Sequence, residues 1–182
     1  FDGVESAVYI DDEPVDTTEP FTIMTWVKLN TESGDDQTVA TMPGDIGSSA
    51  FKLYYDQSHD RWRADMGMRK PDGTTGWQDT IAPTGSAEAT SWTHIAVTAD
   101  PGSSRVTLYI NGEEAAHRDV VLPFNNHATR LDVGHGYRSM YLNGQLAEFA
   151  TFQRALSAAE VKAIYDAYHA STGSPVLTTT VV

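Results

Sequence analysis

The residues of this 182-residue chain best suited to chemistry are aromatic side chains that fall outside the apolar strand patterns. Trp77, Tyr137, Tyr141 and Tyr54 are the candidates, with Arg63, Arg69, Asn125, Asn126 and Arg138 as planar polar partners. That combination is what a pyranose needs: a flat ring for its apolar face, and amides or guanidinium groups for its hydroxyls. His135 joins the set because Gly134-His135-Gly136-Tyr137-Arg138 is a glycine-flexed loop exposing an imidazole and a guanidinium together. Trp26, Trp62 and Trp92 sit in strongly apolar patterns and are assigned to the core. The face that Trp77 takes stays open, and Tyr54 depends on strand register, since a slip of one residue would bury it.

Acid–base catalysis finds less support. A retaining glycosidase needs two carboxylates about 5 Å apart. One strand face would supply them through an E-x-D or E-x-x-x-E pattern, and no strand candidate carries either. Asp11-Asp12-Glu13 precedes Pro14 and reads as a turn. Convergence of two carboxylates from different strands is the arrangement that spacing leaves open. There is no Gly-x-Ser-x-Gly, no phosphate-cradling loop and no His-Glu-x-x-His. His94 lies within a strand and is expected to be a packed or capping side chain. His59, His117, His127, His135 and His169 are scattered singly, without ligand spacing. Asp11, Asp12, Glu13 and Asp16, or Asp35 and Asp36, could hold a hard cation on a loop; solvated loop charge is the plainer reading.

Strands have to position these residues. Val106, Leu108 and Ile110 alternate with Arg105, Thr107 and Tyr109, the period-2 signature of a half-buried strand. Asn111-Gly112 then supplies the two positive-φ residues of a type I′ hairpin. Upstream, 100–104 closes a hairpin with the strand that follows Trp92. Residues 51–55 and 61–68 form another, with Phe51, Leu53 and Tyr55 facing Trp62, Ala64 and Met66 on one side. Lys52, Tyr54, Arg61, Arg63 and Asp65 occupy the other. One segment is helical: Ser157-Ala158-Ala159-Glu160 is a capping box, Leu156 and Val161 a hydrophobic staple, and Val161, Ile164, Tyr165 and Tyr168 follow helical spacing. The fold class expected is all-β, a two-sheet antiparallel sandwich with one short C-terminal helix. Residues 1–170 form the domain, and 171–182 a linker or the start of a neighbouring segment, with 176–182 β-prone enough to add an edge strand. The parent chain is expected to be multidomain.

Twenty-five carboxylates against twelve Lys and Arg leave a net charge of −13, which disfavours nucleic acid and anionic membranes. No run approaches the ~20 apolar residues of a membrane-spanning helix. The absence of cysteine removes disulfides and thiolate metal sites. The chain begins at Phe1, so a signal peptide would lie outside the sequence; a secreted or cell-surface location is expected.

Six ordered landmarks carry a resemblance. Phe1-Asp2-Gly3-Val4 with Ala7-Val8-Tyr9-Ile10 is followed by Phe21 to Val27 and by Trp92 to Val97. Leu108 to Gly112, Leu131 to Gly134, and Gly144 to Phe149 running into Arg154 to Val161 complete the series. Together they resemble the laminin-G-like jelly rolls of the concanavalin A-like superfamily, over roughly Phe1 to Tyr168. The resemblance implies two antiparallel sheets packed face to face and a short C-terminal helix. It implies no reaction, because members serve as carbohydrate-binding modules, adhesion modules and spacers, and some relatives are glycosidases. It also makes calcium plausible, between Asp2-Gly3 and an aspartate on the last strand. Here Ala147 stands where that aspartate would be, with Glu148 beside it, so the site is weakened or vacant. The expectation is a non-catalytic accessory module binding a glycan through Trp77, Tyr137, Arg138, Tyr141, His135, Tyr54 and Arg63. A protein-interaction or spacer domain docking against a neighbouring protein domain is the alternative, and a glycosidase the third.

Overall fold

The computed structural model describes residues 1–46, 48–121, 123–137 and 140–172. Eleven strands run β1 (Val8–Ile10), β2 (Phe21–Leu29), β3 (Gln37–Pro43), β4 (Ser49–Asp56), β5 (Arg61–Arg69) and β6 (Thr75–Ile81). They continue through β7 (Thr93–Asp100), β8 (Arg105–Ile110), β9 (Glu113–Asp119), β10 (Leu131–Val133) and β11 (Gly144–Phe152) to one helix, α1 (Ala158–Thr172). The strands build two antiparallel sheets, one ordered β1-β10-β3-β4-β5-β6 and the other β11-β2-β7-β8-β9. This is the two-sheet sandwich with a C-terminal helix that the alternation predicts.

Alternation sorts each strand between the faces. Phe51, Leu53 and Tyr55 of β4 and Trp62, Ala64, Met66 and Met68 of β5 point inward, meeting Phe21, Ile23, Val27, Ile95, Val97 and Leu108 of the other sheet. Phe21 and Phe51 meet edge to face, with ring centroids 5.8 Å apart. The five-stranded sheet is apolar on both sides, because α1 covers its other face: Met24, Ala96 and Tyr109 pack against Leu156, Val161 and Ile164. That double burial explains the nearly unbroken apolar run of β2.

Local chemistry follows the sequence closely at two turns. Asn111 and Gly112 hold φ of 51° and 80°, and a Cβ on Gly112 would lie 2.9 Å from Tyr165, so glycine also lets the helix approach. The capping box forms as expected, Ser157 N–H donating to Glu160 Oε2 at 2.9 Å and Glu160 N–H to Ser157 Oγ at 3.3 Å. The helix extends to Thr172, past the expected domain edge at 170. The remainder of the expected linker, with the β-prone 176–182, lies outside the described residues. Trp92 departs from expectation: it is half-buried, because it precedes β7.

Candidate functional site

The outer face of the six-stranded sheet collects the polar half of each alternating pattern. Register aligns Tyr9, Asp132, Thr41, Lys52, Asp65 and Asp79 in one row crossing all six strands. At about 4.8 Å per strand, the row is about 24 Å long. A second row holds Thr38, Tyr54, Arg63 and Ile81, and beyond it Asp56 pairs with Arg61.

Trp77 stands at the β6 end, 45% exposed and directly opposite Gly67 of β5. A Cβ on Gly67 would meet Trp77 Cζ3 at 3.2 Å and the Ser49 carbonyl oxygen at 2.1 Å, so glycine is what lets the indole rest against the sheet. Asp79, two residues further along β6, shares the face. Arg63 Nη2 lies 3.1 Å from Asp79 Oδ2 and 3.5 Å from Asp65 Oδ1, while its Nη1 lies 3.7 Å from Asp56 Oδ2. Burial pushes the Asp65 carboxyl above its ordinary value, against the pull of Arg63. Burial also pushes at Asp56, yet hydrogen bonds from Ser58, His59 and Arg61 hold that carboxyl at about 2.

Tyr54 occupies the face its register predicts, but it is only 4% exposed. The Lys52 ammonium sits 3.5 Å from its ring centroid and the Arg63 guanidinium 5.3 Å. These cations find the electron-rich ring face favourable, so Tyr54 forms the floor beneath them and offers no platform. That corrects its expected stacking role.

The opposite end, at β1 and β10, gathers other aromatics. His135 stacks on Tyr141 at 4.4 Å, and Tyr9 meets His135 edge to face at 6.1 Å. Arg130 lies 5.7 Å from the Tyr9 ring centroid and grips Asp132 through two bonds, 2.7 and 3.0 Å. Tyr137 is 69% exposed. Gly136 backs onto Thr38, where a Cβ would lie 2.2 Å from Oγ1, which lays this loop onto β3. Arg138 lies outside the described residues. The expected contacts therefore divide: Trp77 and Arg63 belong to one end, and His135, Tyr137 and Tyr141 to the other.

Two expected polar partners are structural instead. Asn125 clamps the Arg69 backbone through both its amide atoms. Asn126 is buried and donates to the Gly67 carbonyl at 2.9 Å, bracing the strand under Trp77.

Calcium fits Asp2 poorly. Its Oδ1 accepts three backbone amides, from Val4, Glu5 and Ser6, at 2.9–3.1 Å, and these hold the carboxyl far below its usual range. Gly3 takes φ of 75° and donates to the Leu142 carbonyl. Ala147 is buried opposite Trp26 and brings no oxygen ligand from its side chain. Glu148 sits at the β11 bulge with φ of 51°. Among the described residues, the ligand atoms that converge are those of Glu13, Asp16 and His127, within 4.8 Å of one another on two loops. Asp16 is already held by Thr18 and by His127, 3.5 Å away.

Sequence reasoning missed Tyr9, Asp79 and Asp132. The alternation of Gly76-Trp77-Gln78-Asp79-Thr80 was the available signal for Asp79, because it sets Trp77 and Asp79 on one face. Asp132 and Tyr9 had no such signal, since their rows form only through strands distant in sequence.

The profile of a family described as the concanavalin A-like lectin/glucanases superfamily matches residues 2–162. No curated protein matches the chain. Among solved structures, a heptameric SAP-like pentraxin from Limulus polyphemus has a TM-score of 0.70 at 13% identity, over 91% of this chain and 79% of its own. The binding domain of Paraclostridial Mosquitocidal Protein 1 has a TM-score of 0.67 at 18%, over 92% and 42%. A protein described as carbohydrate binding, from Bacteroides ovatus, has a TM-score of 0.63 at 15%, over 87% and 44%. At these identities the likeness is one of fold, and this chain spans less than half of the last two.

Proposed function

Starting from the fact that this chain belongs to the concanavalin A-like lectin/glucanases superfamily, we propose that it is a non-catalytic glycan-binding module whose ligand lies on the outer face of the six-stranded sheet. The observation that carries this reading is Trp77, an exposed indole resting over Gly67 with Asp79 and Arg63 beside it. The indole takes the apolar face of a sugar, and the carboxylate and guanidinium take its hydroxyls. Tyr137, Tyr141 and His135 offer a second contact region at the far end. A solved neighbour described as carbohydrate binding supports the ligand class.

Two carboxylates, Asp65 and Asp79, do stand opposite each other on neighbouring strands. Binding is favoured over hydrolysis because one guanidinium nitrogen contacts both of them, filling the gap that an anomeric carbon would have to enter. We expect no release of aryl alcohol from aryl glycosides; release that disappears in Asp65→Asn would overturn the non-catalytic reading.

Binding itself is tested by a glycan array followed by titration calorimetry, each run in calcium and in chelator. The expected outcome is a defined glycan class whose affinity falls about tenfold or more, about 1.4 kcal/mol, in Trp77→Ala. An array blank in both conditions would put the interaction or spacer reading ahead. That second reading has its own support in Val4, Val8, Tyr9 and Ile10, apolar and exposed on or beside the edge strand β1. A secreted or surface location within a multidomain parent suits either reading. Among the described residues, no helix is long and apolar enough to cross a membrane.

A further inference from the structure

Beneath α1 lies a buried imidazole that glycan binding does not use. His94 of β7 pairs directly with Trp26 of β2, their rings 5.4 Å apart, and it is 1% exposed. Tyr165 of α1 closes over both rings, stacked on Trp26 at 5.6 Å and 5.9 Å from His94. Among the described residues, neither the His94 Nδ1 nor the Trp26 Nε1 has a hydrogen-bond partner. The His94 backbone is pinned at both ends, its N–H donating to Asn111 Oδ1 at 3.0 Å and its carbonyl accepting from Asn111 N–H at 2.8 Å. With only 1% of the residue exposed, the ring gains full hydration only if the helix lifts away.

The ionisable groups around this seam are Lys28 on β2, Glu148 on β11, Tyr109 on β8, Glu113 and Glu114 on β9, and Lys162, Tyr165, Asp166, Tyr168 and His169 on α1, where Glu148 faces Tyr168. Lys162 is paired with Asp166, and His169 stacks on the Tyr165 ring at 5.3 Å. None of the carboxylates among them pairs with the His94 imidazole, so a proton added there would create a buried charge without a counter-ion, which is strongly unfavourable.

We infer that His94 is an acid-sensitive latch: while neutral it lets α1 seal the outer face of the five-stranded sheet, and protonation releases the helix. Release uncovers the Met24, Trp26 and Tyr109 surface together with the Val161, Ile164 and Tyr165 stripe. Burial alone holds the docked-state imidazole down to about 4, against 6.5 when free. Because the docked value lies below the free one, docking is at full strength above pH 6.5. It weakens by about tenfold per pH unit as pH falls toward 4, approaching a hundredfold at pH 4.5.

Hydrogen exchange tests the latch on the whole chain between pH 7 and 4.5, corrected for the intrinsic pH dependence of exchange. Wild type is expected to show α1 amides opening with a rise approaching a hundredfold, while β3, β4 and β5 stay protected. His94→Phe and His94→Gln flatten that profile, and His169→Gln leaves it as in wild type. An equal rise in wild type and in a folded His94 variant, or simultaneous opening of helix and sandwich, overturns the inference. Should both His94 variants fail to fold, imidazole resonances of the wild-type protein decide: His94 should stay neutral at pH 5.5 while α1 remains protected. Ordinary titration near 6.5 with the helix still docked sinks the latch.

Discussion

Asp2 spends its carboxylate on the backbone around it. Its Oδ1 organises the turn after Phe1 by accepting three amides, an arrangement that already satisfies the charge. Asp2→Ala is therefore expected to lower the melting temperature equally in calcium and in chelator; a loss seen only with calcium would restore the metal role. Gly67 is the complementary case, a residue whose missing side chain matters. Gly67→Ala drives a methyl group against the Ser49 carbonyl and the Trp77 ring, so it should reduce stability by about 1–3 kcal/mol. Denaturant unfolding measures that loss, and tilting of the indole should weaken glycan affinity as well.

The hairpin joining β8 and β9 does two jobs through one dipeptide. Asn111 and Gly112 supply the two positive-φ residues of a turn that matches the right-handed twist of its strands; Asn111 also binds the His94 backbone, and Gly112 leaves room for Tyr165. Gly112→Ala is expected to lose about 1–3 kcal/mol in thermal unfolding, combining the positive-φ penalty with helix displacement. The loss should exceed that of Ser157→Ala, which removes only the N-cap, about 1 kcal/mol. Equal losses would mean that the turn and the helix do not share an interface. Much of this element scale was legible in the sequence. The capping box, the Asn-Gly turn and the β4–β5 alternation are local patterns, and each formed at its expected place. The strand β6 was not foreseen, although 76–80 alternates, because its inward positions are Gly76, Gln78 and Thr80 and not apolar residues; it acquires its order by pairing with β5.

Across the whole molecule, the outer face has aromatics at both ends of a row about 24 Å long. A ligand spanning it must be extended, while a mono- or disaccharide can reach one end only. Trp77→Ala and Tyr137→Ala are expected to act independently on a long oligosaccharide, their free-energy losses adding within about 0.5 kcal/mol. With a disaccharide only one of them should matter, and strong coupling in calorimetry would place both rings at one subsite. The nearly balanced charge of β4–β6, where Lys52, Arg61, Arg63 and Arg69 meet Asp56, Asp65 and Asp79, suits a neutral glycan better than the chain's net charge of −13 would indicate.

The sequence by itself determined the sandwich, its turns, its helix and the face each β4 and β5 residue occupies, because alternation, capping and positive-φ turns are properties of neighbours along the chain. It also nominated the aromatic candidates as one contact set, with no means of telling which of them lie together. Only the tertiary structure decided which of them meet: that Tyr54 lies under Lys52 and Arg63, that Trp77 and Tyr141 stand at opposite ends, and that Asp79 faces Asp65 across Arg63. It alone enclosed His94 beneath Tyr165. Those relations depend on the order in which strands lie side by side, and residues as far apart as Tyr9 and Asp132 become neighbours only when the sheet closes.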